Sequence, residues 1–300
     1  MKKNNTTIYS KNEADSLTHS EKHEKWRDEA ENLKASLILK YAKNVNGLLD
    51  IGCGWGQTLL KLIGKIPTLA GVDESLERMG VLCDHKKIKT FNCKSDNISI
   101  GDNSYDVILM SHIMHEIKLF ETPIVYLQTI NEIKRILKKD GKLIVIDHRD
   151  PGPGDVIINI GSRINLLNRF RSNFKLRKIN YIKHGNNITI SKRDCHDFVT
   201  KIWCFGTEAE ELEMNETHTV MNSKIFQNDM IEFNFEPVVN ICFNPITNLM
   251  KYYGIELIEG NDWGRQLFIQ SNVHQYLENK NKQYNVDNKK NDKNLTIKTQ

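Results

Sequence analysis

Apolar positions change their period near residue 47. Upstream, in EKWRDEAENLKASLILKYAK, Trp26, Ala30, Leu33, Leu37 and Tyr41 recur at helical spacing and predict one amphipathic helix. Downstream, short runs that are apolar almost throughout alternate with helical patterns. Residues 47–51, 68–73, 88–92, 105–110 and 142–147 read as strands, and 57–66, 75–83 and 122–137 as helices. Lys138, Lys139, Asp140 and Gly141 follow the last helix, where lysines complement the dipole and Gly141 allows a left-handed cap. Strands apolar on both faces and separated by helices predict an α/β protein with a doubly wound, mostly parallel sheet.

Regularity fades after Pro151-Gly152-Pro153-Gly154. Residues 160–177 read as basic and aromatic helices, 188–190 as a hairpin-like strand, and 192–203 as a helix ahead of the acidic EAEELEMNE. Residues 244–253 then predict a helix, and 254–258 and 265–270 two strands that complete the sheet. Residues 155–240 are therefore expected to be a substrate-facing cap inserted between the fifth and sixth strands of a domain spanning 21–277. The polar stretches 1–20 and 278–300 are expected to be disordered tails.

Composition narrows the classes. The net charge is +4, but residues 279–300 alone carry six lysines against two aspartates. The body is thus near neutral, without the broad basic footprint of a duplex binder. No apolar run is long enough for a membrane span, and MKKNNTTIYS has no apolar stretch after its lysines, so a cytoplasmic protein without a membrane partner is expected. Six cysteines occur without a CxxC pair, which predicts free thiols, and Cys195, His196 and Cys204 read as packing residues.

The stretch LLDIGCGWG, residues 48–56, ends the first strand in Asp50 and then in Gly52-x-Gly54-x-Gly56. Glycines there let a ligand approach the backbone and the following helix N-terminus, although Gln57 stands where a dinucleotide fingerprint has its last glycine. Asp73, 23 residues beyond Asp50, ends the second strand and is placed to accept both hydroxyls of a ribose. Nicotinamide cofactors and S-adenosylmethionine both carry one. Asp50 would repel a pyrophosphate and would suit the ammonium and sulfonium of S-adenosylmethionine.

With AGVDES at strand two, SDNISIGDNSYDVILMSHIMHEI through strand four and EIKRILKKDGKLIVID into strand five, the chain resembles the class I S-adenosylmethionine-dependent methyltransferases, particularly the type 11 group. The resemblance covers residues 26–149 and, loosely, 244–270. It implies a Rossmann-like fold with S-adenosylmethionine as cofactor. Asp50, Gly52, Cys53, Gly54 and Gly56 would cradle the methionine part, Asp73 with Glu74 the ribose, and Ser95 and Asp96 the adenine, with Lys94 standing where the family has its acid. Ser111 and His112 would face the cofactor.

Methyl transfer is an in-line displacement at an activated sulfonium, and a base is needed only when the acceptor must lose a proton. His112 and His115, past strand four, are the catalytic candidates, although His115 and Glu116 could simply begin a helix. His148 and Arg149, past strand five, are candidate acceptor contacts, Arg149 suiting an anionic group. The Asn/Asp-Pro-Pro-Tyr/Phe signature of amino-group methyltransferases is absent after strand four, and no paired acids predict a catechol-type metal, so no metal is expected. Phe170, Phe174, Tyr181, Trp203 and Phe205 in the cap suit an apolar or planar acceptor, and Arg163, Arg169, Arg171, Lys175 and Arg177 an anionic one. The leading reading is a small-molecule methyltransferase. Its rivals are an RNA methyltransferase using 163–178, a silent cofactor-binding scaffold, and a nucleotide-dependent oxidoreductase, against which Asp50 counts.

Overall fold

The structure, a computed structural model, describes residues 21–272, with side chains from Lys25; the tails at 1–20 and 278–300 lie outside the described residues. In its first half the chain alternates α1 (Glu21–Tyr41), β1 (Gly47–Ile51), α2 (Gln57–Leu62), β2 (Thr68–Asp73), α3 (Gly80–Cys83), β3 (Ile88–Asn92), β4 (Tyr105–Ser111), α4 (Met114–Phe120), α5 (Pro123–Ile136) and β5 (Leu137–Asp147). The second half comprises β6 (Asp155–Asn159), α6 (Ile164–Asn173), β7 (Tyr181–His184), β8 (Asn187–Ser191), α7 (Lys192–Lys201), α8 (Glu210–Glu213), α9 (Ser223–Glu232), β9 (Phe235–Pro245), α10 (Ile246–Tyr252), β10 (Glu256–Glu259) and β11 (Gly264–Asn272).

Seven strands form one sheet in the order β3-β2-β1-β4-β5-β11-β9, in which only β11 runs against the others. The chain steps outward from β1 to β3 and returns to β4 on the other side of β1. The carboxyl ends of β1 and β4 therefore flank the crevice where a doubly wound sheet binds ligands. Apolar runs made these strands visible because both faces are covered: Leu48, Leu49, Ile51 and Val107 to Met110 are wholly buried.

Local differences from the expected pattern have physical causes. The buried face of α1 is Lys34, Ala35 and Ile38, while Leu33 is 41% exposed. That rotation turns Glu31 and Lys34 toward the glycine turn, where Thr58 donates to Glu31 at 2.9 Å and Lys34 pairs with Glu31 at 2.7 Å. After α5 the left-handed residue is Asp140 (φ 61°), not Gly141. Gly141 is required because a Cβ there would meet the carbonyl oxygens of Lys138 at 2.8 Å and Asp106 at 3.1 Å.

The second half holds a separate antiparallel sheet, β10-β6-β8-β7, around its own core of Phe170, Phe198, Phe205, Tyr253 and Trp263. Of the two strands expected to complete the main sheet, β11 does so and β10 does not. β10 pairs with β6, and the outer place in the main sheet is taken by β9. β9 is an edge strand in which only Phe235 is buried, so it lacks the apolar run that marks a central strand. The small unit thus draws on 246–259 as well as on the stretch from β6 to α8.

Candidate functional site

Two clefts open at the carboxyl edge of the main sheet. The first, of about 760 Å³ including its open mouth, runs along the ends of β1, β2 and β4 past Gly52, Asp73, Glu74, Arg78, Cys93, Lys94, Ser95, Asp96, Ile113 and Glu116. Of the glycine turn, Gly52 lines it. Gly52, Gly54 and Gly56 all have positive φ (74°, 50° and 68°), but for different spatial reasons. A Cβ on Gly52 would lie 2.6 Å from Ile113, and one on Gly56 2.2 Å from Leu82, whereas one on Gly54 would meet nothing within 4 Å. Only Gly54 borders open space, so it alone leaves its Cβ position free for a ligand.

Asp73 both shapes this turn and faces the cleft. Its two carboxylate oxygens accept the backbone N–H groups of Gly54 and Ser75, each at 2.9 Å, and Arg78 stands 3.5 Å away. Each oxygen keeps a lone pair for a ligand hydroxyl. Asp50 is 2% exposed, and its Oδ1 is buried without a hydrogen-bond partner. Burial, with Glu31 and Asp73 nearby and Lys34 opposing, pushes its carboxyl up to about 8. Asp50 lines neither cleft, and its buried, unpartnered oxygen is an orphan group that a ligand cation would satisfy. Ser95 and Asp96 line the far end of the cleft, and the Ser95 hydroxyl lies 3.0 Å from that of Thr129. The Ser111 hydroxyl is buried and unpartnered, but Ser111 lines neither cleft.

The second cleft, about 1290 Å³ with its mouth, is walled by three parts of the chain: α1 (Trp26, Arg27, Glu31), the sheet edge (Trp55, His112, His115, Glu116, His148, Arg265) and the small unit (Thr200, Trp203, Glu213, Glu216, His218, Tyr253). Glu116 lines both clefts, which makes them neighbours. Its carboxyl is pushed up to about 7, chiefly by burial. Five histidines gather here: the rings of His148 and His218 stack at 4.0 Å, and His112, His115 and His196 lie 5.0 to 5.4 Å from His148.

These rings differ in character. His112 has φ 56°, a left-handed conformation uncommon for a residue with a side chain, and both its ring nitrogens are buried without partners. Burial, with Arg265 and Lys34 adding, holds it well below the ordinary histidine range, so it is neutral. His115 lies 2.6 Å from Asp147 through Nδ1, and Asp147 also accepts the His115 backbone N–H. Burial works against charge on His115, but Asp147 prevails and raises it to about 9.

Several expectations need correction. Arg149 is half-buried and lines neither cleft; the arginines that line the second cleft are Arg27, on α1, and Arg265, on β11. Of the cap aromatics, Phe170, Phe174 and Phe205 are in the small unit's own core, and Trp203 reaches the cleft. The basic run from 163 is largely engaged internally: Arg169 pairs with Glu210, Arg177 with Asp194 and Asp197, and Arg163 donates to the Tyr253 carbonyl. That leaves little of a phosphate-binding stripe. The expectation of no metal rested on ligand spacing along the chain, yet folding brings His115, Glu216 and His218 together with ligand atoms within 4.8 Å of one another. Glu216 and His218 gave no sequence signal, because a partner a hundred residues away leaves no spacing to read.

Residues 49–145, from β1 to within β5, match the family model described as "Methyltransferase domain". This stretch is a methyltransferase domain. It is of the class I, S-adenosylmethionine-dependent kind, as the four motifs implied. The chain is 26% identical over 170 residues to "Uncharacterized methyltransferase YcgJ" of Bacillus subtilis, covering 53% of this chain and 63% of that one. It is 32% identical over 115 residues to "Uncharacterized protein MJ0638" of Methanocaldococcus jannaschii, covering 37% and 45%. The matches thus span less than two thirds of either relative. Among solved structures, the Burkholderia thailandensis 1,6-didemethyltoxoflavin-N1-methyltransferase with bound 1,6-didemethyltoxoflavin and S-adenosylhomocysteine aligns at TM-score 0.47 and 13% identity, covering 86% of this chain and 84% of that one. No helix of the described residues is long and apolar enough to cross a membrane.

Proposed function

We propose that the chain moves the methyl group of S-adenosylmethionine to a small-molecule acceptor held in the second cleft. The observation that carries this reading is the meeting of the two clefts at Glu116, with the second walled by α1 and the small unit. Asp50 takes the ammonium of the cofactor, the Gly52 to Gly56 turn its methionine chain, Asp73 with Glu74 the ribose, and Ser95 and Asp96 the adenine. Bound there, the cofactor supplies a methyl group already activated on a sulfonium. The protein's part is to aim the acceptor along that line and exclude water. Trp26, Trp55 and Trp203 provide apolar faces for the acceptor, Arg265 a cation for an anionic group, and His112 a neutral nitrogen to accept its proton.

The test is incubation with methyl-labelled cofactor and a cell extract separated into metabolite, protein and RNA fractions. Label is expected in metabolites; label confined to RNA would overturn the reading.

Asp50 gives a second expected result. Because its folded pKa is raised, the folded chain loses stability as pH rises from about 4 through 8, where ionisation is free in the unfolded chain and costly in the folded one. A bound ammonium restores the ionised form. Calorimetry of S-adenosylhomocysteine binding at pH 7, in buffers of different protonation enthalpy, should report release of up to about one proton. Asp50→Asn should abolish the release. Equal release in both proteins would place the ammonium elsewhere.

A further inference from the structure

The histidines of the second cleft hold an arrangement that methyl transfer does not require. The Thr200 hydroxyl donates to the His196 carbonyl at 2.7 Å, so it can only accept from His218 Nδ1, 2.8 Å away. His218 Nε2 then faces a Glu216 carboxylate oxygen at 2.9 Å. His115 is held in the same way: Asp147 engages Nδ1 at 2.6 Å, which leaves Nε2 to offer.

A carboxylate behind one histidine and a hydroxyl behind the other are the outer partners that fix the tautomer of metal-binding imidazoles. A further nitrogen, His148 Nδ1, is buried without a partner on a ring stacked 4.0 Å from His218, in a residue 6% exposed. We propose that His115, Glu216 and His218 bind one divalent first-row transition-metal ion, of the zinc or ferrous class, in the second cleft. Two imidazoles and one carboxylate are a donor set used by both ions with coordination positions left open.

Ligand atoms around a four-coordinate ion at ~2.1 Å stand ~3.4 Å apart, so a triplet spanning at most 4.8 Å closes with side-chain adjustments of about 1 Å. Lys201 is the competitor. Its ammonium lies 3.3 Å from both His218 Nε2 and Glu216, but its nearer partner is Glu213 at 2.8 Å, which can keep it when the ion takes Glu216. The open positions face a cleft that also holds Arg265 and three tryptophans, so the ion would hold an anionic or hydroxylated ligand there. The site goes beyond the methyl-transfer reading and stands whatever the acceptor is.

The test uses the full chain and the metal alone. Calorimetry with Zn²⁺ on chelator-treated protein should give one tight equivalent, and Co²⁺ should give the visible spectrum of a low-coordinate ion. His218→Ala or Glu216→Gln should weaken Zn²⁺ binding at least about 100-fold, and Asp147→Asn about 10- to 100-fold. His184→Ala, at an exposed histidine, should leave it unchanged. Lys201→Met should tighten it by removing the competing charge. If the ligand variants fail to fold, the wild-type protein still decides: a Tm unmoved by Zn²⁺ and no tight equivalent overturn the site. Full-strength binding by a folded His218→Ala, or loss in His184→Ala, overturns it as well.

Discussion

Asp73→Ala is expected to raise the dissociation constant for S-adenosylhomocysteine at least about 100-fold, measured by calorimetry on protein whose thermal unfolding shows an intact fold. Two hydrogen bonds donated by ribose hydroxyls to a carboxylate are worth roughly 1.5–3 kcal/mol each, and every 1.4 kcal/mol is a factor of ten. The carboxylate also holds the Gly54 and Ser75 N–H groups at 2.9 Å, so alanine loosens the turn as well as removing the contact. A ligand lacking the ribose 2′-hydroxyl separates the two effects. In the wild-type protein its loss of affinity should be large, and in Asp73→Ala small. Equal losses in both proteins would show that the hydroxyl does not reach Asp73.

The half of the fold around this site was legible because its strands are covered on both faces, so β1 to β5 appear as apolar runs. Legibility failed where burial is one-sided or shared. β9 lies at the sheet edge with its polar residues in solvent, and four-residue β10 is recruited by the small unit's sheet. Basic and aromatic residues of that unit were visible by type but not by destination. Arg169 and Arg177 meet acids contributed by other helices, and Phe170 and Phe205 fill a local core that the pattern could not assign. The residues of the first cleft sit in one turn and at strand ends, where local spacing can be read. The second cleft is assembled from α1, the β4, β5 and β11 ends and residues 200–218, and no local spacing encodes such a convergence.

That convergence gives His112 its expected effect. His112→Asn should lower kcat about 100- to 10,000-fold for an acceptor that must lose a proton, with the dissociation constant for S-adenosylhomocysteine unchanged, since His112 does not line the donor cleft. Asparagine is the informative replacement because it tolerates the left-handed backbone (φ 56°) better than alanine and offers no nitrogen that takes a proton. His115 is a poor alternative as base, since Asp147 engages its Nδ1 at 2.6 Å, whereas both ring nitrogens of His112 are without hydrogen-bond partners. The strained backbone itself follows from position: the His112 N–H donates to the Ile146 carbonyl at 2.8 Å, continuing the sheet, before the chain turns so that Ile113 packs against Gly52. One residue thus follows β4, carries the strain and presents an imidazole without hydrogen-bond partners in the cleft beside the first one. A kcat within threefold of wild type would mean that the acceptor reacts through a lone pair it already has, and that His112 only shapes the wall.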